Sequence, residues 1–311
     1  MTLTIFADGV ENPANRARLD DTARLFGTSC ETSITGRLIA VENVARATTI
    51  YGRRPLRGDA TLAVGNERRG LSQRTLMAAD EILVIPTQSR TVTTLNVAAA
   101  AAVAAWYVLR GSGPQGRATR PEARRPALLI AGDDHAEVGS SLRSVAAFGF
   151  HGVLLEDRGA GWFDGPPAVR REARAAARRH KNPLRIQRAG LDSVARYEEI
   201  VLVTPSGPGA PVQRMQLAHG SRQLVIVGAS PNELSRSAAD RMRIATLGLE
   251  PVASAPLRLT ASIVLAEIAR QVGRRHPGVG LAPRGPRYEK ALAPVTAGDA
   301  FIVELSDLLE F

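Results

Sequence analysis

Short apolar runs alternate with segments of helical period along most of this chain. In its first third, "LTIFADGV", "ATLAVGNE" and "EILVIPT" read as strands, each an apolar run of strand length that stops at Gly, Asn or Pro. Between them "NRARLDDTARLFG" sets Leu19, Ala23 and Phe26 on one helical face, and "TLNVAAAAAVAAWYVL" reads as a long closing helix. The stretch "RGSGPQGRATRPEARRP", Arg110 to Pro126, is rich in Gly, Pro and Arg and has no period, so it reads as a linker.

After the linker the same grammar restarts. "ALLIAGDD", "GVLLED", "EEIVLVTP" and "RQLVIVGA" are expected strands; "AEVGSSLRSVAAFG" and "AVRREARAAARRH", after Pro166 and Pro167, are expected helices, and "RLTASIVLAEIARQVG" closes the second half. Two such halves imply an α/β architecture with parallel sheets. They also match in detail. "TARLFG" sits where "SVAAFG" sits, "AVGNERRGLS" aligns without gaps on "IVGASPNELS", and each closing helix follows a loop with a proline, Pro86 or Pro251. The pattern is that of a duplication, with expected domains 1–110 and 127–273, a linker 111–126 and a C-terminal tail 274–311.

Composition narrows the class. A chain of 311 residues suits two domains, and 44% hydrophobic with 23% charged residues is globular rather than disordered. The apolar part of "LNVAAAAAVAAWYVLR" is shorter than a bilayer span and mostly alanine, which suits a buried helix. "MTLTIFADGV" lacks the basic start and cleavage site of a signal peptide, so the expected location is cytoplasmic, with no membrane partner. Cys30 is the single cysteine, which rules out an internal disulfide, and His135, His151, His180, His219 and His276 show no zinc spacing; no metal is expected. The net charge is +10 and almost wholly arginine, since Lys181 and Lys290 are the only lysines. Guanidinium suits phosphate, which points to a nucleic-acid partner; a GC-rich coding sequence would favour Arg over Lys too, without creating the net excess.

In order, "NPANRARLDDTARLFG", "TLAVGNERRGLS" and "VIPTQSRTVTTLNVAAAAAVAAW" resemble the three motifs of the SpoU/TrmH-type methyltransferases of the SPOUT superfamily. The resemblance covers about the first 110 residues clearly, and the second half looks like a diverged copy. It implies two tandem trefoil-knotted α/β domains forming an intramolecular pseudo-dimer, an activity transferring methyl from S-adenosylmethionine to RNA (rRNA or tRNA), usually at a ribose 2′-hydroxyl, and a cofactor bent into the knot. The residues fit this physically: Gly65 allows close backbone approach, and the loop at Ile85, Pro86 and Thr87, with Leu95 behind it, offers backbone groups and an apolar wall to an adenine. By the resemblance the cofactor residues are Val64, Gly65, Asn66, Ile85, Pro86, Thr87, Thr94 and Leu95.

One position departs from the pattern. Six residues after the motif-one Asn15, where the family has arginine, stands Asp21; in the second half Glu137 takes the asparagine position and Arg143 the arginine position. The second half in turn has Ala229 and Ser230 for Asn66 and Glu67, and Leu259 and Thr260 for Leu95 and Asn96. The expectation is one composite site: the first half supplies the pocket, and Arg143 holds substrate phosphate and 2′-hydroxyl, with Asn15, Glu67 and Asn96 orienting substrate and cofactor. The second pocket would be retired. Arginine is a poor general base at its ordinary pKa, so positioning suits Arg143 better than proton removal. The other reading of Arg143 is an exposed helix arginine, and of Asp21 a solvated face.

The basic helix carrying Arg171, Arg174, Arg178, Arg179 and Lys181 reads either as an RNA-tracking surface or as a plain solvated helix. Trp162 and Phe163 read as a base-stacking lip or as loop anchors. Motif one begins within the first fifteen residues, so RNA recognition is expected from the second half, the tail or both. Two alternatives stay open: an inactive RNA-binding protein of methyltransferase descent, and a base N-methyltransferase, to whose closing motif "PLRLTASIVLAE" is similar. The sequence names neither the RNA nor the nucleotide.

Overall fold

The computed structural model describes residues 2–66, 68–89, 92–112, 124–171, 184–217, 222–252 and 254–273. Its first sheet has six parallel strands: β1 Leu3–Asp8, β2 Cys30–Glu31, β3 Arg37–Val41, β4 Thr48–Thr49, β5 Ala60–Gly65 and β6 Glu81–Val84, in the order β2-β1-β5-β3-β6-β4. Helices α1 Pro13–Leu25, α2 Gln73–Ala78 and α3 Val97–Arg110 belong to it. The second sheet has seven parallel strands: β7 Ala127–Ala131, β8 Gly152–Glu156, β9 Arg185–Arg188, β10 Glu199–Thr204, β11 Ala210–Pro211, β12 Gln223–Val227 and β13 Met242–Thr246. With them come α4 His135–Ala147, α5 Arg236–Ala239 and α6 Leu257–Val272. Its order, β11-β13-β10-β12-β7-β8-β9, read from the β8 end as β8-β7-β12-β10-β13-β11, repeats that of the first sheet, with β9 added at the edge.

The helices start where side chains satisfy the first free N–H groups. Asn12 accepts from Ala14 N at 2.9 Å ahead of Pro13, Asn96 from Ala98 N at 3.0 Å, and Asp134 from Glu137 N at 2.7 Å. The central strands are buried along their length: β5 reads as five buried residues and then Gly65, and all of β12 is buried, which is why both are continuous apolar runs rather than alternating ones.

Helix α3 is buried almost all round, and its alanines let it pack closely against α1, β5 and α6. Trp106 and Tyr107 are fully buried at its end, and one contiguous core runs from Ile5 and Leu62 through Trp106 to Val145 and Ile263, so both sheets share it. Polar bonds cross between the sheets at the same level. Trp106 Nε1 donates to Leu247 O at 3.2 Å, and the Tyr107 hydroxyl to Glu267 Oε2 at 2.8 Å. Glu267, wholly buried, is paired with Arg270. The last residues of α1 and α4 make reciprocal contacts: Leu25 O accepts from Glu250 N at 2.9 Å, and Ala147 O from Gln88 N at 2.7 Å and Ser89 N at 3.2 Å.

One expectation is corrected and one choice is decided. Helix α6 begins after Pro256, so the residue standing where Asn96 caps α3 is Pro256, not Thr260, which lies a turn inside the helix. Of its two readings, Trp162 takes that of an anchor rather than a lip: it is 4% exposed and meets His135 edge to face at 6.0 Å between ring centres. Phe163 packs on the core under the Arg188 guanidinium. Among the described residues no helix is long and apolar enough to cross a membrane, and no His/Cys/Asp/Glu group is arranged to hold a metal ion.

Candidate functional site

The carboxyl ends of β3, β5 and β6 lie side by side, where ligands of parallel α/β sheets bind, and there a cleft of about 110 Å³ opens. Val64, Gly65, Asn66, Ile85, Thr87, Thr94 and Leu95 line it; Pro86 does not. The turn after β5 closes tightly. A Cβ on Gly65 would lie 2.2 Å from Gly70 C and 2.3 Å from Leu71 N, so only glycine lets the returning chain pass. Asn66 fixes that return: its amide donates to Gly9 O at 2.9 Å, its carbonyl accepts from Arg68 N and Arg69 N, and its backbone pairs with Gly70 in both directions.

The far wall of the cleft is Thr93, Thr94 and Leu95, and it is held from the other sheet. Arg143, on α4, donates through Nε to Thr94 O at 3.0 Å and through Nη2 to Thr94 Oγ1 at 2.7 Å. Together with Ala147 bonded to Gln88 and Ser89, this lays α4 along the loop that walls the cleft. Asn15 is buried on α1, off the lining, and accepts from Arg18 at 3.3 Å; Asp21 pairs with Arg24 on the outer face of that helix. Asn96 stands just past the lining with its carbonyl oxygen used as the cap of α3. Glu67 lies outside the described residues, as do Arg174, Arg178, Arg179 and Lys181, while Arg171 is exposed.

Sequence reasoning missed Glu42. It follows β3, lines the cleft, and is the one ionisable side chain among the described lining residues. The signal was present, since it ends the apolar run of a strand, but "RLIAV" is short and was not expected to be one.

A second cavity, of about 600 Å³, opens at the carboxyl edge of the second sheet, at the ends of β7, β10 and β12; it shares the counterparts of β3 and β5 with the first cleft but takes in β7, the counterpart of β1, in place of β13. Its walls carry Asp133, Asp134, Glu137 and Glu233. Arg158, held at φ 48°, donates to Gly228 O and Glu233 Oε1, both at 2.7 Å, and Arg258 pairs with Glu137. A Cβ on Gly228, the counterpart of Gly65, would lie 2.1 Å from Ala131 O.

An all-parallel α/β sheet with a cleft at the carboxyl edge of its central strands defines a ligand-binding domain of the wound α/β class. Residues 14–106 match the SpoU rRNA Methylase family model. A protein named as an uncharacterized tRNA/rRNA methyltransferase from Mycobacterium tuberculosis is 37% identical over 164 residues, covering 49% of this chain and 47% of that one. One of the same name from Mycolicibacterium gilvum is 32% identical over 165 residues, covering 47% of each. The chain thus spans about half the length of the curated relatives it matches. Among solved structures, the SpoU methyltransferase AviRb from Streptomyces viridochromogenes, in complex with the cofactor AdoMet, is similar at 21% identity and a TM-score of 0.34, over 53% of this chain and 66% of that one.

Proposed function

We propose that this chain is an S-adenosylmethionine-dependent RNA methyltransferase that methylates a ribose 2′-hydroxyl of rRNA or tRNA. Its two halves, 1–110 and 127–273, act as tandem knotted domains in an intramolecular pseudo-dimer, joined by the linker 111–126, with one composite site. The observation that carries the reading is Arg143: a cation from one half hydrogen-bonded to Thr94, which walls the cleft of the other. The repeated strand order and the reciprocal bonds at the ends of α1 and α4 support the pseudo-dimer.

The cleft suits the cofactor in kind. Val64, Ile85 and Leu95 offer apolar surface for a base, and the glycine turn brings backbone groups to its edge. When bound, S-adenosylmethionine supplies a methyl group on a sulfonium. The chain's residues do the rest: Arg143, fixed through Thr94, puts a permanent positive charge at the rim, where it draws a substrate phosphate and orients the hydroxyl beside it. It does so as a positioning group, since a guanidinium does not readily give up its proton. The excess of arginine supplies long-range attraction for RNA.

Titration calorimetry of S-adenosylmethionine into the wild type and into Leu95→Trp and Arg143→Ala tests this. One site per chain is expected, lost with the Leu95 change and kept with the Arg143 change. A labelled methyl group should then appear on ribose after digestion of treated rRNA or tRNA. No binding to the wild type would leave an RNA-binding protein without catalysis, and label on a base would mean N-methylation.

A further inference from the structure

Glu42 lines the cleft but has no role in the reading given above, and the cleft's other described walls are uncharged. The backbone fixes it there. Its own N–H donates to Leu83 O at 2.9 Å, anchoring the end of β3 to β6, and its two carboxylate oxygens are held separately: Oε1 accepts from Asn43 N at 3.0 Å and Oε2 from Leu71 N at 2.9 Å. An ionised carboxylate has about four acceptor positions, so one bond to each oxygen orients the group and leaves each oxygen able to accept again. It presents two adjacent acceptors in a fixed plane, and donors are what it lacks.

The neighbours say which donors. Glu42 lies between the ends of β5 and β6, where Val64 and Ile85 make the cleft apolar, so the part of a ligand beside it is a base and the sugar attached to it. Asn43 and Asn66 add polar groups to the lining, and the loop side of the cleft carries Thr87, Thr93 and Thr94, to the last of which Arg143 brings its charge. A ligand carrying a carboxylate at its far end is drawn to that side. We propose that Glu42 is a cofactor-binding residue that accepts hydrogen bonds from the vicinal 2′- and 3′-hydroxyls of a bound adenosine moiety, and so selects a ribonucleoside ligand and sets which way it lies. This rests on the cofactor reading of the cleft given above.

The test needs no RNA. Binding of adenosine, 2′-deoxyadenosine, 3′-deoxyadenosine and S-adenosylmethionine is measured by calorimetry for the wild type and Glu42→Gln, which keeps an oxygen for the Leu71 N–H. Charged hydrogen bonds of this kind give the scale: Glu42→Gln should weaken adenosine and S-adenosylmethionine alike by about tenfold. Removing either hydroxyl should cost the wild type about tenfold and the variant less than about threefold. If the variant loses S-adenosylmethionine but holds adenosine, Glu42 pairs with the ammonium group instead and the inference fails. Equal losses for the deoxynucleosides in both proteins would also overturn it. Should the variant melt well below the wild type, the wild-type series decides alone: no penalty for either missing hydroxyl refutes the proposal. A wild type that binds neither adenosine nor S-adenosylmethionine removes the cofactor reading itself, and this inference with it.

Discussion

The two halves share a strand order and differ at its carboxyl edge. On the first sheet the turn after β5 folds back on Gly65 so closely that a narrow cleft remains, uncharged except for Glu42 among its described walls. On the second sheet the larger cavity is crossed at its rim by Arg158 and edged by two ion pairs, Arg158–Glu233 and Glu137–Arg258. The two edges thus differ in charge as well as in volume. In the second cavity Glu233 and Glu137 are paired with arginines of the same half, whereas the wall of the first cleft is held by an arginine from the other half.

The largest expected effect comes from disconnecting the halves. Glu267→Ala leaves Arg270 buried without its carboxylate and Tyr107 without its acceptor, at a cost of about 3–5 kcal/mol. Thermal unfolding should show one transition, well below that of the wild type; two separate transitions would mean that the halves do not share a core. Next, the glycine turns can be compared directly. Gly65→Ala forces Gly70 and Leu71 away and should weaken S-adenosylmethionine about 100-fold or more, an effect of about 3 kcal/mol. Gly228→Ala, equally crowded by Ala131 O, should lower the melting temperature and leave the affinity per folded chain unchanged. Comparable losses of affinity from both would show that both pockets bind.

The helix positions form the third pair. Arg143→Ala should cut methyl transfer about 100-fold, the scale for losing one positioned donor, whereas Asp21→Ala, at an exposed pair with Arg24, should stay within about 0.5 kcal/mol in stability and leave transfer unchanged. The smallest effect is one of pH. Burial first, and then the Asp20 carboxylate, push the Cys30 thiol from 9.0 up to about 12. A raised thiol pKa adds stability that is fully present below pH 9 and is lost as pH rises from there toward 12, because the unfolded chain ionises first. The thiol is only half-buried, so the loss is smaller than the roughly 1.4 kcal/mol per pH unit of a fully sequestered group. Melting temperatures of the wild type and Cys30→Ser, compared between about pH 8 and about pH 10.5, should converge at the alkaline end if Cys30 is responsible. The second half contains no cysteine, so it adds no thiol step of its own to the shared transition.

Much of this comparison was legible in the sequence because buried parallel strands write themselves as apolar runs: β1, β5, β6, β7, β8, β10 and β12 all lie within expected strands. What escaped was structure made by partners rather than by composition. The two-residue strands β2, β4 and β11 have no run to read, and β13, "MRIAT", alternates polar residues and takes its place by pairing with β10. Missing β3 also hid Glu42, which matters only once the end of that strand is known. Asn96 was visible as a polar residue before a helix, but its use as a cap and the proline at the matching place before α6 depend on where each helix starts.

The contact of Arg143 with Thr94 also sets an order of events during synthesis. The first sheet, α1 and α3 are complete in the growing chain by Arg110, yet the wall at Thr94 finds its anchor only when α4 follows, 49 residues behind it. Trp106 and Tyr107 wait longer, for Leu247 and Glu267, which lie 141 and 160 residues further on. Contacts so distant form late, because the loops they close must be ordered first. During translation, then, the first half emerges with an apolar helix exposed and one side of its cleft unsecured, and the nascent chain is at its most adhesive while the second half is still being made.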